Sequence, residues 1–124
     1  MNTEILVFDS CQETALALAS EIQDRLKGRQ GELKVICHDP TEVFLRPLQK
    51  KPLAAFFALS GMYDLEAARK FHATQGDVPL VIVSNSGEYA LMSYDLGACD
   101  YLIRSINTKS LSEAINRCLV SQAE

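Results

Sequence analysis

Five short runs of apolar residues are spaced along the chain, and each is followed by a longer stretch of mixed apolar and polar residues. The runs cover residues 4–8, 33–37, 53–59, 79–83 and 100–104. Largely apolar runs of this length are typical of strands that are buried on both faces. In the stretches between them, apolar residues recur at helical spacing, as in amphipathic helices. The pattern predicts β-strands that alternate with helices.

Two of the predicted helices carry a clear apolar stripe. The stripe of the first consists of Cys11, Ala15, Leu18, Ile22 and Leu26. The stripe of the last consists of Leu111, Ala114, Ile115, Cys118 and Leu119. We expect both stripes to face the sheet, because an amphipathic helix buries its apolar side.

Polar residues at the boundaries predict where helices begin and end. Ser10 and Glu13 have the spacing of a capping box, and Asp39 before Pro40 is typical of a helix start. The predicted helix starts are Ser10, Asp39, Asp64, Asn85 and Asn107 or Thr108. The predicted helix ends are the Gly28 to Gly31 region and Gly97, with Pro47 shortening or kinking the second helix.

Strands that alternate with helices of this length form a parallel sheet with right-handed crossovers and helices on both faces. We therefore predict an α/β fold with three layers, α/β/α, as a single domain over residues 1–124. In such sheets, functional residues gather at the carboxyl ends of the strands. These ends are residues 9–10, 58–60, 84–86 and 104–105.

Composition narrows the functional classes. Apolar residues make up 48% of the chain, and the formal net charge is −4. This balance argues against nucleic-acid binding by the domain itself, because a nucleic-acid surface needs clustered Lys and Arg. No apolar run approaches the roughly 20 residues of a membrane span, and no secretory signal is visible. We expect a cytoplasmic protein with no membrane contact.

The cysteines and histidines show no metal-binding spacing. The four cysteines are Cys11, Cys37, Cys99 and Cys118, and they form no C-x-x-C pair. Neither His38 nor His72 stands beside a second candidate ligand. We predict no metal site of this type and interpret the cysteines as small apolar residues.

The segment from Ser86 to Cys118, SGEYALMSYDLGACDYLIRSINTKSLSEAINRC, resembles the C-terminal half of a response-regulator receiver domain. The likeness is greatest to receivers that precede LytTR-type DNA-binding domains. The first strand, ILVFDS, is similar to the ILIVDD of the family. The resemblance implies a CheY-like, flavodoxin-like sheet of strand order 2-1-3-4-5, and it implies a role in two-component signal transduction and phosphorelay.

The resemblance also assigns positions in the phosphorylation pocket. Asp9 matches the first of two acids that hold magnesium in the family, and Ser10 stands where the second belongs. Counting from Pro52 puts Ala58 at the phosphoacceptor aspartate. Three further matches complete the set. Ser84 keeps the family hydroxyl after strand four, Arg104 replaces the lysine at the end of strand five, and Ser105 replaces the following proline.

These replacements predict a vestigial pocket and no enzymatic activity. An acyl phosphate needs a carboxylate nucleophile, which the methyl group of Ala58 does not supply. Asp9 beside a hydroxyl makes at best a weak magnesium site, so we expect no cofactor. A further hypothesis is an ion pair between Asp9 and Arg104 across the pocket. Asp9 could also be stabilised without any metal, by the positive end of the dipole of the neighbouring helix.

Three alternatives stay open on sequence alone. A receiver could still be phosphorylated at an unrecognised residue, for which Ser60 and Asp64 are the nearest candidates. A small Cys-dependent phosphatase or phosphocarrier would use Cys11, but Ala17 stands where the phosphatase needs an arginine to hold phosphate. The chain could also be either a stand-alone regulator or a fragment of a longer LytTR-like one.

The resemblance implies that helix four, strand five and helix five dock a protein partner or a second copy of the chain. Tyr101 occupies the position of the family's switch aromatic, although a half-buried strand aromatic explains it equally well. We predict Ala90, Ser93, Tyr94 and Gly97 on the core side of helix four. The predicted interface residues are Tyr89, Met92, Leu96, Lys109, Glu113 and Arg117.

Overall fold

A computed structural model describes residues 4–27, 33–45 and 51–123 of the chain. The strands in this part are β1 (Glu4–Phe8), β2 (Lys34–His38), β3 (Ala54–Leu59), β4 (Leu80–Ser84) and β5 (Asp100–Ile103). The helices are α1 (Gln12–Arg25), α2 (Glu42–Leu45), α3 (Met62–Thr74), α4 (Ala90–Asp95) and α5 (Thr108–Ala123). The predicted alternation of strand and helix is confirmed.

The strands form one parallel sheet in the order β2-β1-β3-β4-β5. β1 and β3 lie side by side with Phe8 opposite Phe57, and β3 pairs with β4 so that Ala58 lies opposite Val83. The sheet order is the flavodoxin-like order that the sequence predicted. It brings the carboxyl ends of β1, β3, β4 and β5 to one edge of the sheet.

Side chains alternate between two apolar clusters, one on each face of the sheet. Val7, Phe56 and Val83 lie in the cluster that α1 and α5 cover. Phe8 and Phe57 lie in the cluster that α3 covers, where their rings stack at 4.4 Å between centroids. Every residue of β3 and β4 is buried, as expected for central strands with helices on both faces.

Both predicted helix stripes face the sheet, with one exception. Ala15, Leu18, Ile22 and Leu26 of the α1 stripe are buried, but Cys11 is exposed. Cys11 lies outside the stripe because it precedes the helix as its N-cap residue. On α5, the side chains of Leu111, Ala114, Ile115 and Cys118 are buried, and Leu119 packs against the same cluster.

Three predicted helix starts are wrong. Ser10 forms no capping box, because α1 begins after Cys11. The Asp9 carboxylate accepts a hydrogen bond from the backbone N–H of Cys11 instead. Asp64 is not an N-cap but lies in the first turn of α3, which begins after Gly61. Asn85 is followed by turns, and α4 begins only after Tyr89, without a side-chain cap.

Other predicted boundaries are confirmed. Asp39 accepts hydrogen bonds from the backbone N–H and the hydroxyl of Thr41 just before α2, at 2.9 and 2.7 Å. Asn107 accepts from the N–H groups of Lys109 and Ser110 at the start of α5. Gly97 ends α4 with φ of 74°, the left-handed conformation that glycine adopts without strain.

The predictions for Gly28, Gly31 and Pro47 lie outside the described residues. Within the described part of the chain, no helix combines the length and the apolar character that crossing a membrane requires.

Candidate functional site

The sheet brings the predicted pocket residues to one edge. Asp9 follows β1, Ala58 is the second-last residue of β3, Ser84 ends β4 and Arg104 follows β5. Since Phe8 lies opposite Phe57, the next residues on these two strands, Asp9 and Ala58, are neighbours across the sheet. We call this edge of the sheet the cleft, because parallel sheets bind ligands at the carboxyl ends of their strands.

Asp9 is the charged centre of this cleft. Its Oδ1 accepts the N–H of Cys11 at 2.9 Å, and its Oδ2 accepts the hydroxyl of Thr14 at 2.6 Å. Arg104 donates from Nη2 to the same Oδ2 at 3.1 Å, and the Asp9 side chain is only 7% exposed. The predicted ion pair between Asp9 and Arg104 is present. The Asp9 carboxylate is therefore bonded both to Arg104 and to the residues at the start of α1.

The remaining pocket residues are small and uncharged. Ala58 is 7% exposed and Ser84 is 4% exposed, so each lies just below the surface of the cleft. The Ser84 hydroxyl accepts the N–H of Ser86 at 3.4 Å. Ser10 and Ser105 are exposed, and the peptide bond between Arg104 and Ser105 is cis.

A divalent cation does not fit the donors at this edge. Magnesium prefers carboxylate oxygens combined with phosphate and water, and here one carboxylate already serves two hydrogen-bond donors and a guanidinium. Among the described residues, no group of three His, Cys, Asp or Glu side chains could hold a metal. We therefore assign no metal-dependent step to the cleft.

Ser60 and Asp64, the possible substitute acceptors, are bonded to each other. The Asp64 carboxylate accepts both the N–H and the hydroxyl of Ser60, at 2.9 and 2.8 Å, and Asp64 is buried to 4% exposure. Sequence reasoning missed this link. The signal was available, since an acid three residues after the N-cap Gly61 commonly bonds back to the residues before a helix.

Tyr101 and Tyr89 are both half-buried against the apolar cluster on the α3 face of the sheet. The Tyr101 hydroxyl donates to the backbone carbonyl of Ser86 at 2.6 Å. This hydrogen bond connects β5 with the loop after β4. Burial of the ring and bonding of the hydroxyl are what an amphipathic aromatic normally shows.

Helix α4 is rotated relative to the prediction. Leu96 is 4% exposed and belongs to the core, so its assignment to the interface is wrong. Tyr94, predicted on the core side, is 86% exposed, and Ala90 is also exposed. Ser93 is buried as predicted, and together with Leu96 it sets the inner side of the short helix.

The exposed side of α4 is apolar. Leu91 is 84% exposed and Met92 39%, and on the neighbouring edge strand β5 the side chain of Ile103 is 49% exposed. With Tyr94, these residues form what we call the α4–β5 apolar surface. The sequence predicted only Met92 of this set. A helix of six residues is too short for the spacing of its apolar residues to show which side is buried.

The polar residues predicted on α5 are exposed. Lys109, Glu113 and Arg117 all lie on the surface. Arg117 pairs with Asp100 of β5 and donates to Glu113 at 3.5 Å. The outer side of α5 is therefore charged, in contrast to that of α4.

Cys11 lies beside the cleft but lacks the surroundings of a phosphate-binding cysteine. It is exposed, and hydrogen bonds from the backbone and the hydroxyl of Thr14 lower the pKa of its thiol. The position that a phosphatase would fill with arginine is the exposed Ala17 of α1. A lowered pKa favours a nucleophilic thiolate, but position 17 does not supply the arginine, and Arg104 in the cleft is already paired with Asp9.

Comparison with known proteins extends the fold assignment. No family model matches the sequence, and no curated protein matches it. Among solved structures, a CheY-like response regulator receiver domain protein from Methanospirillum hungatei superposes with a TM-score of 0.77 at 22% identity, covering 99% of this chain and 98% of that one. This chain has the CheY-like receiver fold.

Other receiver structures agree. A response regulator receiver protein from Pseudomonas putida gives a TM-score of 0.74 at 21% identity, over 94% of this chain and 98% of that one. The phosphorylated cyanobacterial phytochrome response regulator RcpA gives 0.73 at 19% identity, over 100% and 98%. These similarities to receiver structures therefore extend over 94–100% of the chain.

Proposed function

We propose that this chain is a receiver-type signalling module that has lost its phosphorylation chemistry and acts by binding protein. In this proposal it belongs to cytoplasmic two-component-type signalling, is related to the receivers of LytTR-type regulators and is not an enzyme. The observation that carries the proposal is a methyl group, that of Ala58, at the strand end beside Asp9.

The ion pair in the cleft supports the loss of phosphorylation. In a magnesium-dependent pocket the acid would face a cation and phosphate oxygens. Here Arg104 neutralises Asp9 directly at 3.1 Å. A planar guanidinium bonded to a carboxylate is a stable arrangement that needs no ligand.

The alternative functions have weaker support. Phosphorylation at Ser60 or Asp64 would have to break the hydrogen bonds that join these two residues. A cysteine phosphatase centred on Cys11 would lack the arginine six positions after the cysteine, since Ala17 stands there, and Arg104 in the cleft is already paired with Asp9. Neither alternative explains why the α4–β5 apolar surface is exposed.

The α4–β5 apolar surface supports the binding part of the proposal. Leu91 and Tyr94 are each more than four-fifths exposed on one short helix, and clustered exposed apolar side chains indicate an interface more often than isolated ones do. The charged side of α5 would supply the polar rim that surrounds most interface cores. A protein partner or a second copy of the chain would bind here.

Substitution on this surface tests the binding proposal. Tyr94→Glu and Leu91→Glu should weaken self-association, or retention of a partner from the native host, at least tenfold, because a buried carboxylate at an interface is costly. Leu16→Glu is the matched control, since Leu16 is 55% exposed on α1. Self-association is measured by sedimentation velocity and partner retention by co-purification. Equal behaviour of all three variants would exclude the α4–β5 apolar surface as the binding site.

A ligand titration tests the loss of phosphorylation separately. Beryllofluoride with Mg²⁺ mimics an acyl phosphate, and we expect it to leave the amide resonances of residues 57–60 unchanged. Saturable, fluoride-dependent shifts at these residues would refute the inert pocket without bearing on the binding surface.

A further inference from the structure

Two cysteines outside the cleft lie in contact. Cys99 immediately precedes β5, and Cys118 lies on the inner side of α5. Their Sγ atoms are 3.8 Å apart, although the residues are 19 positions apart in sequence. The other two cysteines, Cys11 and Cys37, have no such sulfur contact.

The two thiols have different access to solvent. Cys99 is exposed, whereas Cys118 is 1% exposed and packs among the apolar side chains of the α1 and α5 face. Small soluble oxidants therefore reach Cys99 first. Cys118 can react only with a partner that is already beside it, and Cys99 is that partner.

We propose that Cys99 and Cys118 are a redox-modification site that closes to an intramolecular disulfide on exposure to a hydroperoxide. A disulfide needs the sulfurs to approach to about 2 Å. The Cys99 backbone is held by a hydrogen bond to the Leu80 carbonyl, so rotation of the exposed Cys99 side chain would close the remaining distance. Nothing in the proposed binding function requires this site, so the two proposals are independent.

The sulfur chemistry assigns a role to each cysteine. The hydrogen bond from the Cys118 thiol lowers the pKa of Cys99, while the same contact and burial raise the pKa of Cys118. Because Cys99 is also the exposed thiol of the pair, we assign to it the attack on the peroxide and to the buried Cys118 the role of resolving thiol.

The reaction balances with hydrogen peroxide as the oxidant. The Cys99 thiolate attacks one peroxide oxygen, the O–O bond breaks, and the leaving hydroxide takes a proton to become water. Cys99 is then a sulfenic acid. Cys118 attacks its sulfur, the S–O bond breaks, and a second water leaves as the S–S bond forms. Two thiols lose two electrons and two protons, and the peroxide is reduced to water.

The location gives the modification a physical consequence. The bond would fasten the residue before β5 to α5, the helix that carries the charged rim of the proposed partner surface. Arg117, the neighbour of Cys118, already pairs with Asp100, the neighbour of Cys99. The cross-link would therefore reinforce an existing contact between strand and helix.

The test uses the full chain with Cys11→Ser and Cys37→Ser, so that only Cys99 and Cys118 remain. One equivalent of hydrogen peroxide at neutral pH should remove about 2 Da, the mass of two hydrogens. Both thiols should then resist alkylation under denaturing conditions, and dithiothreitol should restore both the mass and the reactivity. The urea midpoint of the oxidised form should be higher than that of the reduced form.

Added Cys99→Ser and Cys118→Ala substitutions provide the controls. Each should abolish the loss of mass, and the variant that keeps Cys99 should instead gain oxygen at that residue. Retention of both thiols after oxidation, stepwise gain of oxygen at Cys99 with Cys118 present, or a disulfide-linked dimer on a non-reducing gel would each overturn the proposal.

Discussion

At the scale of single residues, the state of Asp9 depends on the donors around it. Burial of a carboxylate is costly unless charge and hydrogen bonds compensate. Cys11, Thr14 and Arg104 provide this compensation through distances of 2.9, 2.6 and 3.1 Å. The ion pair with Arg104 is therefore expected to stabilise the fold, in the absence of any ligand.

Arg104→Met should lower the free energy of unfolding by about 1–2 kcal/mol, because a mostly buried carboxylate loses its charged partner while the stem of the side chain keeps its packing. Equilibrium urea unfolding is the measurement. Arg69→Met is the matched control, since the pair of Arg69 with Glu66 is exposed and 3.7 Å long, and its removal should change stability by less than about 0.5 kcal/mol. Equal effects of the two substitutions would contradict a structural role for the pair in the cleft.

The positions of the pocket residues could be predicted from the sequence, but several of their bonds could not. The strand pattern predicted which strand ends meet at one edge of the sheet, and the resemblance to receiver domains assigned Asp9, Ala58, Ser84 and Arg104 to that edge. The partners of Asp64 depend on where α3 begins. The helix begins three residues earlier than it would if Asp64 were its cap, and this shift makes Asp64 a first-turn acid.

At the scale of elements, α4 shows how a glycine fixes the end of a short helix. The N–H of Gly97 donates to the Tyr94 carbonyl, and the N–H of Ala98 donates to the Ser93 carbonyl, at 3.0 and 3.2 Å. This is the Schellman arrangement, which requires a left-handed residue. It ends α4 just before the short turn into β5.

Gly97→Ala should destabilise the protein by about 1–2 kcal/mol, because an added Cβ strains the left-handed backbone. The new methyl would also lie 3.3 Å from the His72 ring. Gly87→Ala is the control, since a Cβ there meets nothing within 4 Å and its φ is ordinary, and it should cost less than about 0.5 kcal/mol. Equal urea midpoints for the two variants would contradict the claim that α4 needs a left-handed glycine at position 97.

The buried sides of α1 and α5 were predicted correctly, whereas the rotation of α4 was not. Helices of 13 to 16 residues repeat their apolar stripe often enough to fix which side is buried. The six residues of α4 include four that are apolar or aromatic, Ala90, Leu91, Met92 and Tyr94. Tertiary packing of Ser93 and Leu96 decides between faces that look alike in sequence.

At the scale of the whole molecule, the strand order follows from a few strong constraints. Buried apolar strands joined by helices must be parallel, and their crossovers must be right-handed. Those constraints leave few topologies, and the receiver resemblance selects 2-1-3-4-5 among them. These constraints do not determine which side chains stay exposed, so the α4–β5 apolar surface could be recognised only from the three-dimensional structure.

The proposed function requires that this protein has the receiver fold but no residue that accepts a phosphoryl group. Intact-mass measurement after incubation with acetyl phosphate and Mg²⁺, beside a phosphorylatable receiver as positive control, tests this most directly. We predict that the mass of this chain stays unchanged while the control gains about 80 Da, the mass of one phosphoryl group. A stoichiometric gain of the same size on this chain would contradict the account, and fragmentation would then identify the acceptor.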